Sequence, residues 1–154
     1  MKRAVGFFIF FVLIGMAIPS LATNFAITPA ITGSWYNPAQ SGQGFSLEVI
    51  STDRMVAYFY TFDPVGTNVF LTGIGTIDGA TATIPLYTTN GGFFPPNFDP
   101  KAITRDSWGT LVLSFTDCSN GTASWTPTIT SFLDWTVGSM PITRITTIPG
   151  LVCE

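Results

Sequence analysis

Residues 69–87 read VFLTGIGTIDGATATIPLY, and this stretch carries the pattern that decides the fold. It contains two runs rich in β-branched and apolar residues, 69–77 and 80–87, separated by the dipeptide Asp78-Gly79. Asp-Gly tolerates a positive φ at both central positions of a tight turn, so it predicts a two-residue β-hairpin. Two strands joined in this way run antiparallel.

The same rhythm of strand-like runs and turn residues continues along the chain. Asp63-Pro64-Val65-Gly66 predicts a type I turn, and Asn120-Gly121 predicts a second two-residue hairpin. Strands are predicted at residues 31–36, 45–50, 55–62, 69–77, 80–87, 110–117, 122–126, 132–137 and 141–146. The composition suits sheets better than helices. We expect an all-β fold, a mostly antiparallel barrel or sandwich of about eight or nine strands, and favour a closed barrel because it leaves no open edges.

Side-chain periodicity indicates which faces belong to the core. In two of the predicted strands every second side chain is apolar, which assigns one face of each strand to the core. These faces consist of Phe45, Leu47 and Val49 in one strand and of Leu111, Leu113 and Phe115 in the other. The strand at 55–62 is apolar or aromatic on both faces, which predicts a covered central strand or one whose second face lines a pocket. Residues 88–106 hold many glycines and prolines and are predicted to form a long loop.

The first 22 residues have the features of a secretory signal peptide. Lys2 and Arg3 precede the apolar run 4–18, and Ser20-Leu21-Ala22 supplies a cleavage site after Ala22. The run is short for a membrane span, although an uncleaved anchor is the alternative. We therefore expect a single β domain at 23–154, secreted or periplasmic, with no membrane span after signal removal.

Charge and cysteine content exclude several functional classes. Of the six basic residues, Lys2 and Arg3 leave with the signal peptide, so the remaining chain has four basic and nine acidic residues. This negative net charge excludes nucleic-acid binding. Cys118 and Cys153 are the only cysteines, and in an oxidising compartment they are expected to form a disulfide. The chain has no histidine, which excludes Ser-His-Asp and Cys-His catalysis and most catalytic zinc sites. No metal site or cofactor is predicted.

Glu48 is open to two interpretations. It points away from the core face of its strand and is either an ordinary surface carboxylate or, with Ser46, part of the lining of a cavity inside the barrel. The aromatic walls of such a cavity would be Trp35, Tyr36, Tyr58, Tyr60, Trp108 and Trp125. A carboxylate-dependent hydrolase that pairs Glu48 with an aspartate such as Asp134 is an alternative.

The loop at 36–44 is the predicted binding site. Asn37-Pro38 opens a turn, and Asn37, Ser41 and Gln43 present hydrogen-bonding groups. The candidate ligand-binding residues are Tyr36, Asn37, Ser41, Gln43, Ser46, Glu48, Tyr58, Tyr60 and Trp108. The leading hypothesis is an exported, non-enzymatic β domain that binds a small molecule, a glycan or a protein. The alternatives are the hydrolase that uses Glu48 and a structural component of an envelope assembly.

A set of motifs resembles a β-rich domain that recurs in exported proteins of Gram-negative bacteria. The motifs are GSWYNPAQSGQG at 33–44 with Glu48, VAYFYTFDPVG at 56–66, WGTL at 108–111, FTDCSNG at 115–121 and PGLVC at 149–153. The resemblance covers essentially all of 23–154. It implies export and a bridge between Cys118 and Cys153, and it implies no catalytic residue.

The first strand also has a local resemblance to avidin and streptavidin. Residues 31–37 read ITGSWYN and are followed by Ser41. In that family the matching asparagine and serine hold the ureido oxygen of biotin. The resemblance implies an up-and-down barrel and, at Asn37 and Ser41, a biotin-like ligand, although Pro38 and the residues after it depart from the family's loop.

Overall fold

The computed structural model describes residues 25–128 and 134–153, so the predicted signal peptide lies outside the described residues. Eight antiparallel strands form a closed barrel in which each strand pairs with its neighbours in sequence and β8 pairs with β1. The strands are β1 Gly33–Tyr36, β2 Gly44–Ser51, β3 Arg54–Phe62, β4 Asn68–Asp78, β5 Thr81–Asn90, β6 Thr104–Phe115, β7 Asn120–Pro127 and β8 Gly138–Arg144. The predicted all-β antiparallel fold is confirmed, as the barrel rather than the sandwich.

Three short 3-10 helices lie in the connections, at Pro29–Ile31, Pro38–Gln40 and Pro100–Ala102. Each begins with a proline, which fixes a helical φ, and each is preceded by a residue whose side chain accepts from the first turn. None of the helices in the described part of the chain is long and apolar enough to cross a membrane.

The β4–β5 hairpin has the predicted two-residue loop, but the loop is shifted by one residue. Asp78 pairs with Thr81, so Gly79 and Ala80 are the central residues. Gly79 has a φ of 55°, whereas Ala80 has a negative φ. A positive φ at only the first position is the pattern of a type II′ turn, which needs glycine there.

The predicted Asn120-Gly121 turn is wrong, because both residues belong to β7. The β6–β7 loop spans 116–119, and the carboxylate of Asp117 accepts from the backbone N–H of Ser119 at 2.7 Å and of Asn120 at 3.0 Å. An aspartate that binds the backbone two residues ahead forms a turn of its own. This carboxylate turn, rather than Asn-Gly, reverses the chain.

The turn predicted at Asp63-Pro64-Val65-Gly66 is confirmed. The N–H of Gly66 donates to the carbonyl oxygen of Asp63 at 2.9 Å, the bond that closes a four-residue turn. The Asp63 carboxylate also accepts from the N–H of Val65 at 3.0 Å and of Thr67 at 2.8 Å. These bonds fix the Asp63 side chain at the end of β3.

Several predicted boundaries need correction. Residues 134–137, predicted as strand, lie outside the strands, residues 132 and 133 lie outside the described part, and the last strand covers Gly138–Arg144 instead of 141–146. The predicted loop at 88–106 is shorter, because 88–90 pairs with 104–106 and extends β5 and β6. The threonines in both segments suit a strand ladder, so pairing continues almost to the proline-rich tip.

The barrel interior is filled with apolar side chains. Met55, Ala57 and Phe59 point inward from β3, and the predicted core faces of β2 and β6 are buried, except that Val49 is partly exposed. The other face of β3 points outward, where Val56 is buried and Tyr60 is 50% exposed. This interior is therefore a packed core.

The two ends of the barrel differ. The segment before β1 covers one end, where Ile27, Ala30 and Ile31 are buried and the N–H of Ile27 donates to the carbonyl oxygen of Gly79 at 2.9 Å. The other end carries the β1–β2, β3–β4, β5–β6 and β7–β8 connections, and we call it the mouth.

The barrel closes through a short seam between β1 and β8. The described pairs are Trp35 with Arg144 and Tyr36 with Thr143. The Arg144 guanidinium also donates to the carbonyl oxygen of Ala30. The predicted disulfide between Cys118 and Cys153 is confirmed, with a Cα–Cα distance of 5.9 Å, and it joins the chain after β8 to the β6–β7 loop.

Candidate ligand-binding site at the barrel mouth

Trp108 enters the mouth because β6 carries a bulge. The register between β5 and β6 shifts by one residue between Leu86 and Tyr87, which leaves Trp108 unpaired in the described ladder. Trp108 and Gly109 are consecutive and both buried, whereas strict alternation would put one of them outside. A bulge re-aims side chains in this way and is frequent at barrel rims.

Gly109 next to the bulge is required by close contact with β7. A Cβ at this position would lie 2.3 Å from the carbonyl oxygen of Thr126. The carbonyl oxygen of Trp108 accepts from the N–H of Thr128 at 2.8 Å, which continues the pairing at the top of β7. Glycine and the bulge together let β6 approach β7 while Trp108 turns inward.

Five aromatic side chains line the mouth: Phe59, Phe62, Trp108, Trp125 and Trp135. The rings of Trp108 and Trp135 meet edge to face, with centroids 5.3 Å apart. Phe59 lies 6.1 Å from Trp125 and stacks on Phe45 at 4.4 Å. Edge-to-face and offset contacts are the arrangements that aromatic quadrupoles favour, so these rings support one another as a floor.

Trp125 is positioned by its neighbours on β8 and on the segment before it. Trp125 faces Gly138 across the β7–β8 pair, and a Cβ at Gly138 would lie 2.6 Å from ring atom Cζ2. The indole N–H of Trp125 donates to the carbonyl oxygen of Thr136 at 3.1 Å. Glycine leaves the space that the ring occupies, and the hydrogen bond ties the ring to the β7–β8 connection.

Polar side chains line the rim above the aromatic floor. The hydroxyl of Thr61 donates to Oε1 of Gln43 at 2.7 Å, and Nε2 of Gln43 donates to Oε1 of Gln40 at 3.0 Å. This chain of hydrogen bonds connects β3 to the 3-10 helix Pro38–Gln40. The loop between β1 and β2 is thereby held against the mouth.

The aromatic floor and polar rim border an open cavity of about 380 Å³. This volume falls within the range of small-molecule sites, roughly 300–1,000 Å³. The lining residues are Gln40, Gln43, Phe59, Thr61, Phe62, Asp63, Pro64, Trp108, Trp125, Asp134, Trp135, Thr136, Gly138 and Ser139. Such a site binds a ligand through apolar contact below and hydrogen bonds above.

The cavity is acidic. Asp63 and Asp134 line it, and among the described residues that line it there is no lysine or arginine. The four basic residues within the described ranges, Arg54, Lys101, Arg105 and Arg144, all lie elsewhere. A ligand with negative charge would meet repulsion and no counter-charge.

The indole nitrogen of Trp108 is the one buried side-chain donor without a hydrogen-bond partner in the described part of the chain. Trp108 is 1% exposed, so water does not replace that partner at the surface. Buried polar groups in proteins are nearly always paired, and an exception calls for an explanation. An unpaired donor beside a cavity marks a position where a ligand oxygen is favourable.

The structure brings two of the predicted binding residues, Gln43 and Trp108, to the mouth. A separate open groove on the outside of the barrel is lined by Tyr36, Ser41, Ser46 and Tyr60, and also by Gln43. Six of the nine predicted residues are therefore divided between two surfaces, with Gln43 on both.

Asn37 has a structural role in the loop. Its side chain is 7% exposed, and Oδ1 accepts from the N–H of Ala39 at 3.0 Å, which caps the 3-10 helix. The oxygen that the resemblance to avidin would assign to a ligand is thus engaged within the protein. Ser41 is exposed.

Glu48 and Ser46 point outward, so the hypothesis that they line a cavity inside the barrel is wrong. Glu48 is exposed in a groove that it shares with Ser46, Ile148 and Leu151. Period-two alternation puts Leu47 in the core and its neighbours outside. Tyr58 also faces outward, in a different groove beside Arg105. Because Asp134 lies at the mouth, the structure does not bring Glu48 and Asp134 into one cavity.

Sequence reasoning missed Gln40, Phe59, Asp63 and Trp135 as mouth residues, and it considered Trp125 and Asp134 only in other roles. The bulge had a readable signal, because Trp108 falls out of phase with Leu111 and Leu113 and is followed by glycine. Trp135 had no such signal. Residues 132–137 have the composition of a strand, but β8 begins only at Gly138, where the pairing with Trp125 begins.

No group of three or more histidine, cysteine, aspartate or glutamate residues that could hold a metal ion occurs within residues 25–128 and 134–153. In comparisons with protein-family models, with curated proteins and with solved structures, the chain gives no significant match. The function is therefore inferred from the geometry of the mouth.

Proposed function

We propose that the protein is an exported, non-enzymatic binding module that holds a small molecule at the mouth of its barrel. The observation that carries the proposal is the aromatic cavity, into which a bulge in β6 turns Trp108. One barrel end is covered and the interior is packed, so a ligand enters only at the mouth. Ligand sites in β-barrels commonly lie there.

The composition of the chain supports binding over catalysis. The sequence has no histidine, and both cysteines form the disulfide, so the usual nucleophile and base pairs are missing. A glycosidase needs two carboxylates about 5–10 Å apart across one site. Glu48 and Asp134 line different cavities, which leaves the hydrolase that pairs these two residues without support. Of the two carboxylates at the mouth, Asp63 is held by the N–H groups of Val65 and Thr67.

A thermal-shift screen with a library of sugars, amines, nucleobases and aromatic acids tests the proposed function. Each hit is then titrated by calorimetry against the wild type, Trp135→Ala and Tyr60→Ala. We expect hits that Trp135→Ala weakens at least about tenfold and that Tyr60→Ala leaves unchanged, because Tyr60 lies in the outer groove. Failure to find a hit, or hits insensitive to Trp135→Ala, would overturn the proposal.

Export is tested separately by expressing the full chain in a Gram-negative host and fractionating the cells. The proposal predicts a product in the periplasm or medium whose intact mass corresponds to a chain that begins at Thr23. A product that keeps residues 1–22 and sediments with the membrane indicates the uncleaved anchor instead.

A second candidate function, a component of an envelope assembly, is favoured by the tip of the β5–β6 hairpin. Phe93, Phe94 and Phe98 are 68%, 91% and 53% exposed, and contiguous exposed apolar groups mark interaction surfaces. In-cell cross-linking is expected to yield a defined higher-mass species that the triple serine variant of these residues loses. The same species in both strains would contradict this candidate.

A further inference from the structure

The lining of the mouth cavity also restricts the chemical class of its ligand. This inference rests on the proposed binding function. We propose that the ligand is an uncharged sugar, a terminal residue or short oligosaccharide that carries hydroxyl groups and no carboxylate, phosphate or ammonium group.

The aromatic floor suits one face of a sugar ring. A pyranose presents a patch of C–H groups on its flat face and hydroxyl groups around its edge. Trp125 and Trp135, which are partly exposed, offer ring surface to that patch, and burial of aromatic surface supplies the main attraction. A purely apolar ligand would use the same floor, but it would also desolvate the polar rim without compensation.

The rim matches the hydroxyl edge. The carboxylates of Asp63 and Asp134 accept hydrogen bonds and cannot donate them, and ligand hydroxyl groups are donors. Oδ1 of Asp63 already accepts from the N–H groups of Val65 and Thr67, so the exposed carboxylate of Asp134 is the main acceptor for the ligand. Hydrogen bonds to ionised carboxylates are stronger than those between neutral groups. The acidic lining also repels sugar acids and phosphorylated sugars, and no lysine or arginine among the described lining residues offsets this repulsion.

Trp108 distinguishes a sugar from the main competitor, a quaternary ammonium ion. Such a cation would be attracted by tryptophan faces and by the aspartates. However, the unpaired N–H of Trp108 needs an acceptor, which a hydroxyl oxygen supplies and a quaternary ammonium lacks. The sugar therefore gains an interaction that the cation does not.

Trp135 is the aromatic neighbour of Trp108 at the mouth. Nε1 of Trp108 has almost no exposed surface, and the Trp135 ring packs edge to face on Trp108. Trp135 lies outside the strands, in the β7–β8 connection, so its ring can shift with little disturbance of the barrel ladder. Binding of a sugar should thus change the environment of both tryptophans.

The test is a calorimetric titration of the exported protein with four probes: cellobiose, N,N′-diacetylchitobiose (called chitobiose below), digalacturonic acid and tetramethylammonium. Each is repeated with Trp135→Ala, with Asp134→Asn and with the outer-groove control Tyr60→Ala. We expect a neutral disaccharide to bind, to lose at least about tenfold in affinity in Trp135→Ala, and to keep its affinity in Tyr60→Ala. Its affinity should change little with ionic strength, because the ligand has no charge to screen.

Each outcome decides one question. If tetramethylammonium or digalacturonic acid binds at the mouth and the neutral disaccharides do not, the sugar inference is overturned while the proposed binding function stands. If no probe binds and the wider library screen also finds no mouth ligand, the proposed function itself fails. If a disaccharide binds but Trp135→Ala does not weaken it, the inference about this site is overturned.

Trp108→Phe gives a second measurement, because it keeps an aromatic ring and removes the N–H. The variant is expected to weaken binding of the disaccharide about fivefold to tenfold and to leave binding of tetramethylammonium unaffected. A melting curve confirms that it folds. Equal affinity of wild type and a folded Trp108→Phe would contradict the role assigned to Nε1.

Discussion

Gly138 shows at the residue scale how a missing side chain positions the mouth. Its Cα lies under the Trp125 ring, where an added Cβ would be 2.6 Å from Cζ2. Gly138→Ala should therefore displace the ring and destabilise the fold by about 1–3 kcal/mol, the usual effect of overpacking. Urea unfolding measures the stability, and tryptophan fluorescence reports the moved ring. Thr122→Ala, an exposed change on β7, should stay within about 0.5 kcal/mol.

Asp117 gives a prediction for pH dependence. Hydrogen bonds from the backbone of Ser119 and from the side chain and backbone of Asn120 hold the pKa of this carboxyl below its ordinary value of 3.8. A lowered folded-state pKa stabilises the protein above the unfolded-state pKa, and this contribution disappears as the pH falls through the folded-state value. The group is exposed, so the effect is expected to be small.

Asp117→Asn tests that linkage. The wild type should be more stable than Asp117→Asn at neutral pH, and the difference should shrink as the pH falls below about 3.8, where unfolded chains begin to hold the proton. Urea unfolding at several pH values gives the difference. A gap that stays constant down to low pH would contradict the role of the charged form.

At the scale of elements, two inward-facing glycines of β4, Gly73 and Gly75, let β4 and β5 approach each other. A Cβ at Gly75 would lie 2.0 Å from the carbonyl oxygen of Thr83 and 2.7 Å from Cγ1 of Ile84. Because backbone rather than a flexible side chain blocks the space, Gly75→Ala should destabilise the fold by about 3 kcal/mol. Chemical denaturation of this variant and of the exposed neighbour Thr76→Ala provides the comparison. Similar stabilities would show that the strands can separate locally.

The strands and their core faces were predictable because they depend on local patterns. Alternation in β2 and β6 placed Leu47, Leu111 and Leu113 inside, and the structure agrees. The position of the β6–β7 turn was not predictable in this way. The Asp117 side chain makes hydrogen bonds that form the turn earlier in the chain, and a rule based on the dipeptide Asn120-Gly121 does not include them. Turn chemistry decides such cases more finely than composition does.

The mouth itself was only partly predictable. Gln43 and Trp108 were among the predicted residues, but the bulge that turns Trp108 inward depends on pairing between β5 and β6. Trp135 joins the site through the β7–β8 connection, which no local pattern distinguishes from a strand. Loops brought together by barrel closure are non-local, so their partners cannot be read from spacing.

At the scale of the whole molecule, the disulfide ties the chain after β8 to the β6–β7 loop. The bridge closes a loop with a sequence separation of 35, which constrains the unfolded chain. Replacement of Cys118 and Cys153 by serine should lower the free energy of unfolding by about 3–4 kcal/mol. Hydrogen exchange should then be fastest in β1 and β8, because few pairs join them. Wild type under reducing conditions serves as the matched control, and unchanged stability in both would contradict this role.

One end of the barrel is covered and the other is lined by aromatic rings, so we expect ligand binding to be confined to the mouth. Four tryptophans report on it directly: Trp108, Trp125 and Trp135 line the cavity, whereas Trp35 is buried and bonded to Ile31. Nitrogen-proton NMR of the four indole groups during titration with cellobiose and chitobiose is the most direct measurement. We expect the NMR signals of the three mouth indoles to change their chemical shifts and that of Trp35 to stay unchanged. Binding that leaves the mouth indoles unshifted, or that moves the amides of Ser46 and Tyr60 instead, would contradict it.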